Sequence, residues 1–319
     1  MLTFQDFVCT VQKEVQEEIE HSVTDKDMRY AMEGGKLLRP VMLILSYKAC
    51  VNGNNKYYSN ALESAVGMEL AHAASLVHDD IMDNDDMRRG KLALHVKEGL
   101  GSAILTGHRM ISTAFRISLE HGVDNALIFL DTWDNTLIGQ LRDIDLNEHL
   151  EKIFNGGNSK DMLIQEYLKV IEMKTASLFA TACRAGAIEA HSTPEVQALM
   201  AEYGKNVGLA YQIADDMVDI VEGKLEEGII MPLMKAYGNG LNEDVIEMLK
   251  NGRVTLEEEL AKQGSSLEEV YRNGINTYVR KSQQVVESSL IPDSPYKYLL
   301  REAPVYITNK MTGKIGVRV

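Results

Sequence analysis

The chain has 319 residues, 45% hydrophobic and 25% charged, an ordinary globular composition with room for one large domain or two medium ones. A formal charge of −14 argues against nucleic acid as a partner. Cys9, Cys50 and Cys183 are scattered and lack C-x-x-C spacing, which excludes a disulfide or zinc framework; with no signal-like start and no run long enough to span a bilayer, a soluble cytoplasmic protein is expected.

Phe4, Phe7, Val8, Val11, Val15 and Ile19 follow helical spacing to about Ser22, and a second short helix is expected near Met28 to Met32. Glu33-Gly34-Gly35-Lys36-Leu37-Leu38-Arg39-Pro40 then breaks the chain at two glycines and restarts it at a proline. A helix start carrying Lys36 and Arg39 is suited to an anion, although Gly-Gly and Pro also serve as plain punctuation.

Val41 to Ala49 and Ala61 to Val77 read as apolar helices, and the second runs into His78-Asp79-Asp80-Ile81-Met82-Asp83. On a helix Asp79 and Asp83 share a face, with Asp80 about 100° round from Asp79. Carboxylates this crowded repel one another unless cations neutralise them, and hard oxygen donors without thiols suit magnesium. Taken alone, the motif is equally a solvated acidic helix end. His72 lies two turns before Asp79, a position more often filled by a hydrogen-bonded core histidine. Ala71, Ala74 and Ser75 give the same wall small side chains, and no aromatic residue occurs between Tyr58 and Phe115. Arg88-Arg89-Gly90-Lys91 follows at once, where surface ion pairs are the plain reading.

Ala103 to Glu120 and Asn125 to Asn147 are expected helices, the second placing Gln140 and Asp143 three apart on one face, with Trp133 two turns before Gln140. After a loop at 155–159, Gln165 to Ala187 is a helix holding Lys174 and Thr175 among apolar residues, where a lysine is commonly a rim residue. Glu195 to Val221 ends in Gln212-Ile213-Ala214-Asp215-Asp216-Met217-Val218-Asp219, repeating the first acidic spacing. Two copies, each preceded by small and apolar residues, are hard to attribute to surface decoration, and facing one another they would form a metal-lined mouth. A short loop, 222–228, carries Lys224, and short helices fill Asn242 to Met311. Strand alternation and repeats do not stand out. The expected fold is therefore all-α, a single helical domain over 1–319, with its bundle surrounding a central cavity.

In their order, GGKLLRP, HDDIMDNDDMRRG, GQLRD, KTASLF and YQIADDMVD resemble the trans-polyprenyl diphosphate synthases, of the geranylgeranyl diphosphate synthase kind, from Gly34 to about Leu233. The resemblance implies an isoprenoid-synthase helical bundle, usually a homodimer, that condenses isopentenyl diphosphate with an allylic diphosphate. It implies that Asp79, Asp83 and Asp215 ligate magnesium, supported by Asp80, Asp216 and Asp219. Lys36, Arg39, His72 and Arg89 would bind isopentenyl diphosphate, while Arg88, Lys174 and Lys224 would bind the allylic diphosphate. Thr175, Gln212, Gln140 and Asp143 would line the reacting region. Two positions depart from the family pattern: Gly107 is followed by His108 rather than aspartate, and the loop after the second motif offers only Lys224 where the family usually has two lysines. The family's short-chain members place a bulky aromatic four or five residues before the first motif; Ser75 and Ala74 stand there, with Ala71 deeper, so a product of at least twenty carbons is expected, with Trp133 as a candidate floor. The alternatives are a farnesyl diphosphate synthase, a non-catalytic partner of another synthase, and a class I terpene cyclase.

Overall fold

The apolar positions of the first segment all fall on one side of helix α1 (Phe4–Ser22), which buries Phe4, Phe7, Val8, Val11, Val15 and Ile19. Thr3 and Asp6 close its start as a reciprocal capping box. Asp25 caps α2 (Lys26–Met32) through the amides of Asp27 and Met28. The computed structural model describes residues 3–51, 53, 55–155, 160–223, 230–237 and 255–318, without the side chains of 146–155 and 160–162.

Leu37, in the left-handed region at φ 50°, turns the chain into α3 (Leu38–Cys50), which is buried continuously from Arg39 to Tyr47. A helix apolar all round belongs at the centre of a core. Next comes α4 (Tyr58–Met82), then a hairpin of β1 (Met87–Arg88) and β2 (Lys91–Leu92), turned by Arg89 and Gly90, both at positive φ. Strands of two residues are too short to show alternation in sequence, so the expectation of no strand misses this hairpin. The chain continues as α5 (Leu94–Glu98), α6 (Leu100–Glu120), α7 (Val123–Asn155), α8 (Lys160–Ile171), a π-helical turn (Glu172–Ala176), α9 (Ser177–Glu189) and α10 (Pro194–Val221). Then follow α11 (Ile230–Tyr237), α12 (Leu256–Lys262), α13 (Leu267–Val286) and α14 (Pro295–Thr312). The all-α expectation is borne out. The loops expected at 155–159 and 222–228, Lys224, and the start of the helices expected from Asn242 fall wholly or partly outside the described residues.

Two compact units emerge, each assembled from separate stretches of chain. The first comprises Met1–Thr132, Leu178–Gly204 and Ser288–Leu300; the second comprises Trp133–Ser177, Lys205–Glu287 and Arg301–Val319. In the first, α3 and α9 meet backbone to backbone: a Cβ on Gly186 would lie 2.1 Å from the Leu43 carbonyl oxygen, and Ser46 Oγ donates to the Cys183 carbonyl at 2.6 Å. In the same unit α4 packs on α6, where Gly67 meets Ile117 and Gly107 meets His78. Tyr167, Val170, Ile213, Ala214, Met217, Ile230, Tyr271 and Ile275 form the core of the second unit. No described helix is long and apolar enough to cross a membrane.

Candidate active site

Helix α4 delivers Asp79, Asp80 and Asp83 to its C-terminal end with no basic residue in the last turn. That end carries the negative pole of the helix dipole, so carboxylates there are unfavourable unless cations compensate them. The three are not equivalent. Asp80 is 3% exposed and its Oδ1 accepts from Arg88 Nε at 2.5 Å, while Asp79 is half-buried and Asp83 exposed. Burial pushes the Asp80 carboxyl up, and the Arg88 guanidinium pulls it part of the way back. The hairpin places Arg88 there, and Arg88 Nη2 reaches Asp85 Oδ2 at 3.2 Å.

The second unit repeats this division. Near the C-terminal end of α10, again without a basic residue in the last turn, Asp216 is 6% exposed while Asp215 and Asp219 are half-buried. Both oxygens of Asp216 accept internal hydrogen bonds, Oδ1 from Gln212 Nε2 at 2.9 Å and Oδ2 from the Tyr167 hydroxyl. Gln212 Oε1 in turn accepts from Thr175 Oγ1 at 2.7 Å, so one chain of bonds runs from the π turn to α10. Lys174, in the same turn, donates to Asp143 Oδ2 of α7 at 2.6 Å. Lys174 is therefore paired with a buried carboxylate and is more than a rim residue. The wide turn forms where α7 comes very close: a Cβ on Gly139 would lie 2.8 Å from the Lys174 amide nitrogen. Gln140 and Trp133 are half-buried on α7.

Arg39, His72 and Arg89 come together in the first unit. Arg39 is 9% exposed, its Nη1 lies 3.0 Å from His72 Nε2, and its guanidinium stacks over the Phe179 ring at 4.8 Å. His72 is half-buried with its Nδ1 enclosed, and burial followed by Arg39 and Arg89 holds its pKa well below the ordinary value. The ring is neutral and accepts from Arg39. Arg89 donates Nη1 to the carbonyls of Met32 at 3.0 Å and Glu33 at 3.4 Å. Lys36 stands exposed on the loop before α3, where its carbonyl accepts from Gln12 Nε2 at 2.7 Å. Sequence reasoning missed Glu69, a single acid inside an apolar helical run, and Tyr167, one polar-ended residue in a mixed amphipathic helix, because no motif surrounds either.

Ala71 and Ala74 are buried on the α4 face that also carries Gly67 and His78, and Ser75, half-buried, donates to the His72 carbonyl at 2.8 Å. His78 fills the space left by Gly107, where a Cβ would lie 2.7 Å from Nε2, and its ring packs against His108 at 5.3 Å.

Among the described residues no three His, Cys, Asp or Glu side chains close on one point. The carboxylate oxygens at the ends of α4 and α10 are hard donors of the type that magnesium takes, a few at a time, alongside water and phosphate oxygens.

A family model described as Polyprenyl synthetase matches residues 21–231, well over half of the chain. A geranylgeranyl diphosphate synthase of Methanosarcina mazei is 32% identical over 307 residues, covering 89% of this chain and 89% of that one. A geranylfarnesyl diphosphate synthase of Natronomonas pharaonis is 33% identical over 63% of this chain and 61% of its own. Among solved structures, a geranylgeranyl pyrophosphate synthetase from the archaeon Geoglobus acetivorans is 26% identical with a TM-score of 0.75, covering 95% of this chain and 99% of that one.

Proposed function

The chain belongs to the polyprenyl synthetase family, and we propose that it condenses isopentenyl diphosphate with an allylic diphosphate to give an all-trans prenyl diphosphate of twenty carbons or more. The observation that carries this reading is the repeated asymmetry of the aspartate-rich helix ends. In each, the second aspartate is buried and bonded internally, while the first and last stay more exposed at the pole of the dipole that most needs a cation.

Asp79, Asp83 and Asp215 are the proposed magnesium ligands, with Asp219 in support and with Asp80 and Asp216 as anchors fixed to Arg88 and to Tyr167 and Gln212. When bound, magnesium supplies stabilisation of the negative charge that grows on the leaving diphosphate. Arg88 and Lys174 bind the same diphosphate, and Lys224 joins them. Thr175, Gln212, Gln140 and Asp143 line the reacting carbon, where oriented amide and hydroxyl oxygens stabilise the allylic cation. Lys36, Arg39, His72 and Arg89 hold isopentenyl diphosphate so that its double bond meets that cation, and the proton lost in closing leaves with the diphosphate.

We take 1–319 as one catalytic domain, a reading supported by both units being built from discontinuous stretches. A homodimer is supported by α7, which exposes Val123, Leu127, Leu130, Leu137 and Leu141 at helical spacing, and by Leu105 and Leu119 exposed on α6. We take the cytoplasm as its place of action, the setting typical of the family. Incubating the pure chain with magnesium, isopentenyl diphosphate and each allylic diphosphate in turn, then measuring product length, tests the proposal. A product of twenty or more carbons is expected; no prenyl product at all would refute it.

A further inference from the structure

Glu69 sits one turn before His72 on α4 and is 1% exposed. Its Oε1 is buried without a hydrogen-bond partner and lies 3.8 Å from Arg89 Nη2, too far to bond and near enough to attract. A buried carboxylate is costly unless bonded, so its retention here calls for a reason other than stability. Arg89 gives its Nη1 hydrogens to the carbonyls of Met32 and Glu33, and Glu69 draws on its charge without taking those donors. The loop comes down closely on the pair: a Cβ on Gly35 would lie 2.7 Å from Glu69 Oε1 and 2.9 Å from Arg89 Nη1.

We infer that Glu69 is a positioning residue for isopentenyl diphosphate, acting through Arg89 and Arg39. Its charge attracts both guanidiniums before any anion arrives, so the diphosphate meets cations already in place. This inference rests on the function proposed above. Two opposing effects decide its sign. The carboxylate repels a diphosphate, but it is 1% exposed, while the ligand would touch the cations directly. Without it, two like charges are left together in a poorly solvated site, and Arg89, whose side chain is 18% exposed, has a route outward. Burial raises the Glu69 carboxyl to about 7, with Arg89 and then Arg39 working against the rise, so the charge this inference needs is carried above neutral pH and the test is run at about pH 8.

The test is Glu69→Gln, which keeps the volume and removes the charge. We expect KM for isopentenyl diphosphate to rise about tenfold, with kcat, allylic KM and melting temperature nearly unchanged. Gly35→Ala, whose Cβ would meet the ends of the Glu69 and Arg89 side chains, should give the same selective rise by parting the pair, with the melting temperature measured alongside. In an Arg89→Ala background, Glu69→Gln should add much less than it does alone. The inference is overturned if both variants leave that KM within twofold, if both substrates' KM values shift equally, or if KM falls, which would make the carboxylate a mere counterweight. A wild-type chain that forms no prenyl product would instead overturn the function and this inference with it.

Discussion

At the scale of single residues, Asp79 and Asp80 are neighbours in sequence with opposite surroundings, one half-buried and one enclosed against Arg88. Asp79→Ala should therefore lower turnover by several orders of magnitude and leave the melting temperature close to wild type, since the side chain is half-buried at a helix end. Magnesium-dependent kinetics with a melting control check this, and near-normal activity would remove Asp79 from the ligand set. Ala74 offers a second test. It is fully buried on the α4 face that packs on α6. If the growing chain passes along this face, Ala74→Phe fills its path and the product should shorten to fifteen carbons, as read by chromatography. If the face serves only to seat α6, the added ring should cost about 1–3 kcal/mol of stability and leave product length alone.

Between elements, contacts are set by what is missing as much as by what is present. Gly186 lets α3 and α9 touch, and Gly139 lets α7 press on the π turn that presents Lys174 and Thr175. A polar knot also ties α4, α7 and α9 at the end of α6. His121 Nδ1 lies 2.9 Å from Glu189 Oε1 and Nε2 lies 3.1 Å from Glu63 Oε2, while Ser64 and Asn125 donate to the same Glu189 oxygen. The hydrogen bond to Glu189 is the main cause that raises the His121 pKa, burial opposes it, and Glu63 adds to it. A raised histidine contributes stability that is fully present below its ordinary value of about 6.5 and is lost as pH climbs through the raised one. The melting-temperature gap between wild type and His121→Gln should accordingly be widest near pH 6 and narrow toward pH 9. A gap that widens with pH would show that the imidazole is neutral in this knot.

For the molecule as a whole, the exposed leucines of α7 matter most. Four of them, Leu127, Leu130, Leu137 and Leu141, are each at least 46% exposed at spacings that keep them on one side of the helix. Isolated exposed leucines are unremarkable, but an aligned set is the mark of a covered surface. Leu130→Glu combined with Leu137→Glu should convert a dimer into a monomer in light scattering coupled to size exclusion, because two charges per chain would enter an apolar contact. A wild-type chain that is already monomeric would dismiss the homodimer.

The sequence by itself determined the all-α class, the helix ends that carry the two acidic motifs, and the family, because each depends on spacing within one helix or on the order of short motifs. Helical period alone puts Asp79 and Asp83 on one face, whatever packs around them. Tertiary structure decided which aspartate of each pair is enclosed, since Arg88 reaches Asp80 from a hairpin and Tyr167 reaches Asp216 across 49 residues of chain. It also singled out Glu69, which in sequence is one acid within an apolar helix. Its meaning arises only when the loop of Gly35 and the hairpin of Arg89 fold over it, because a charge acts through distance in space and the sequence records only distance along the chain.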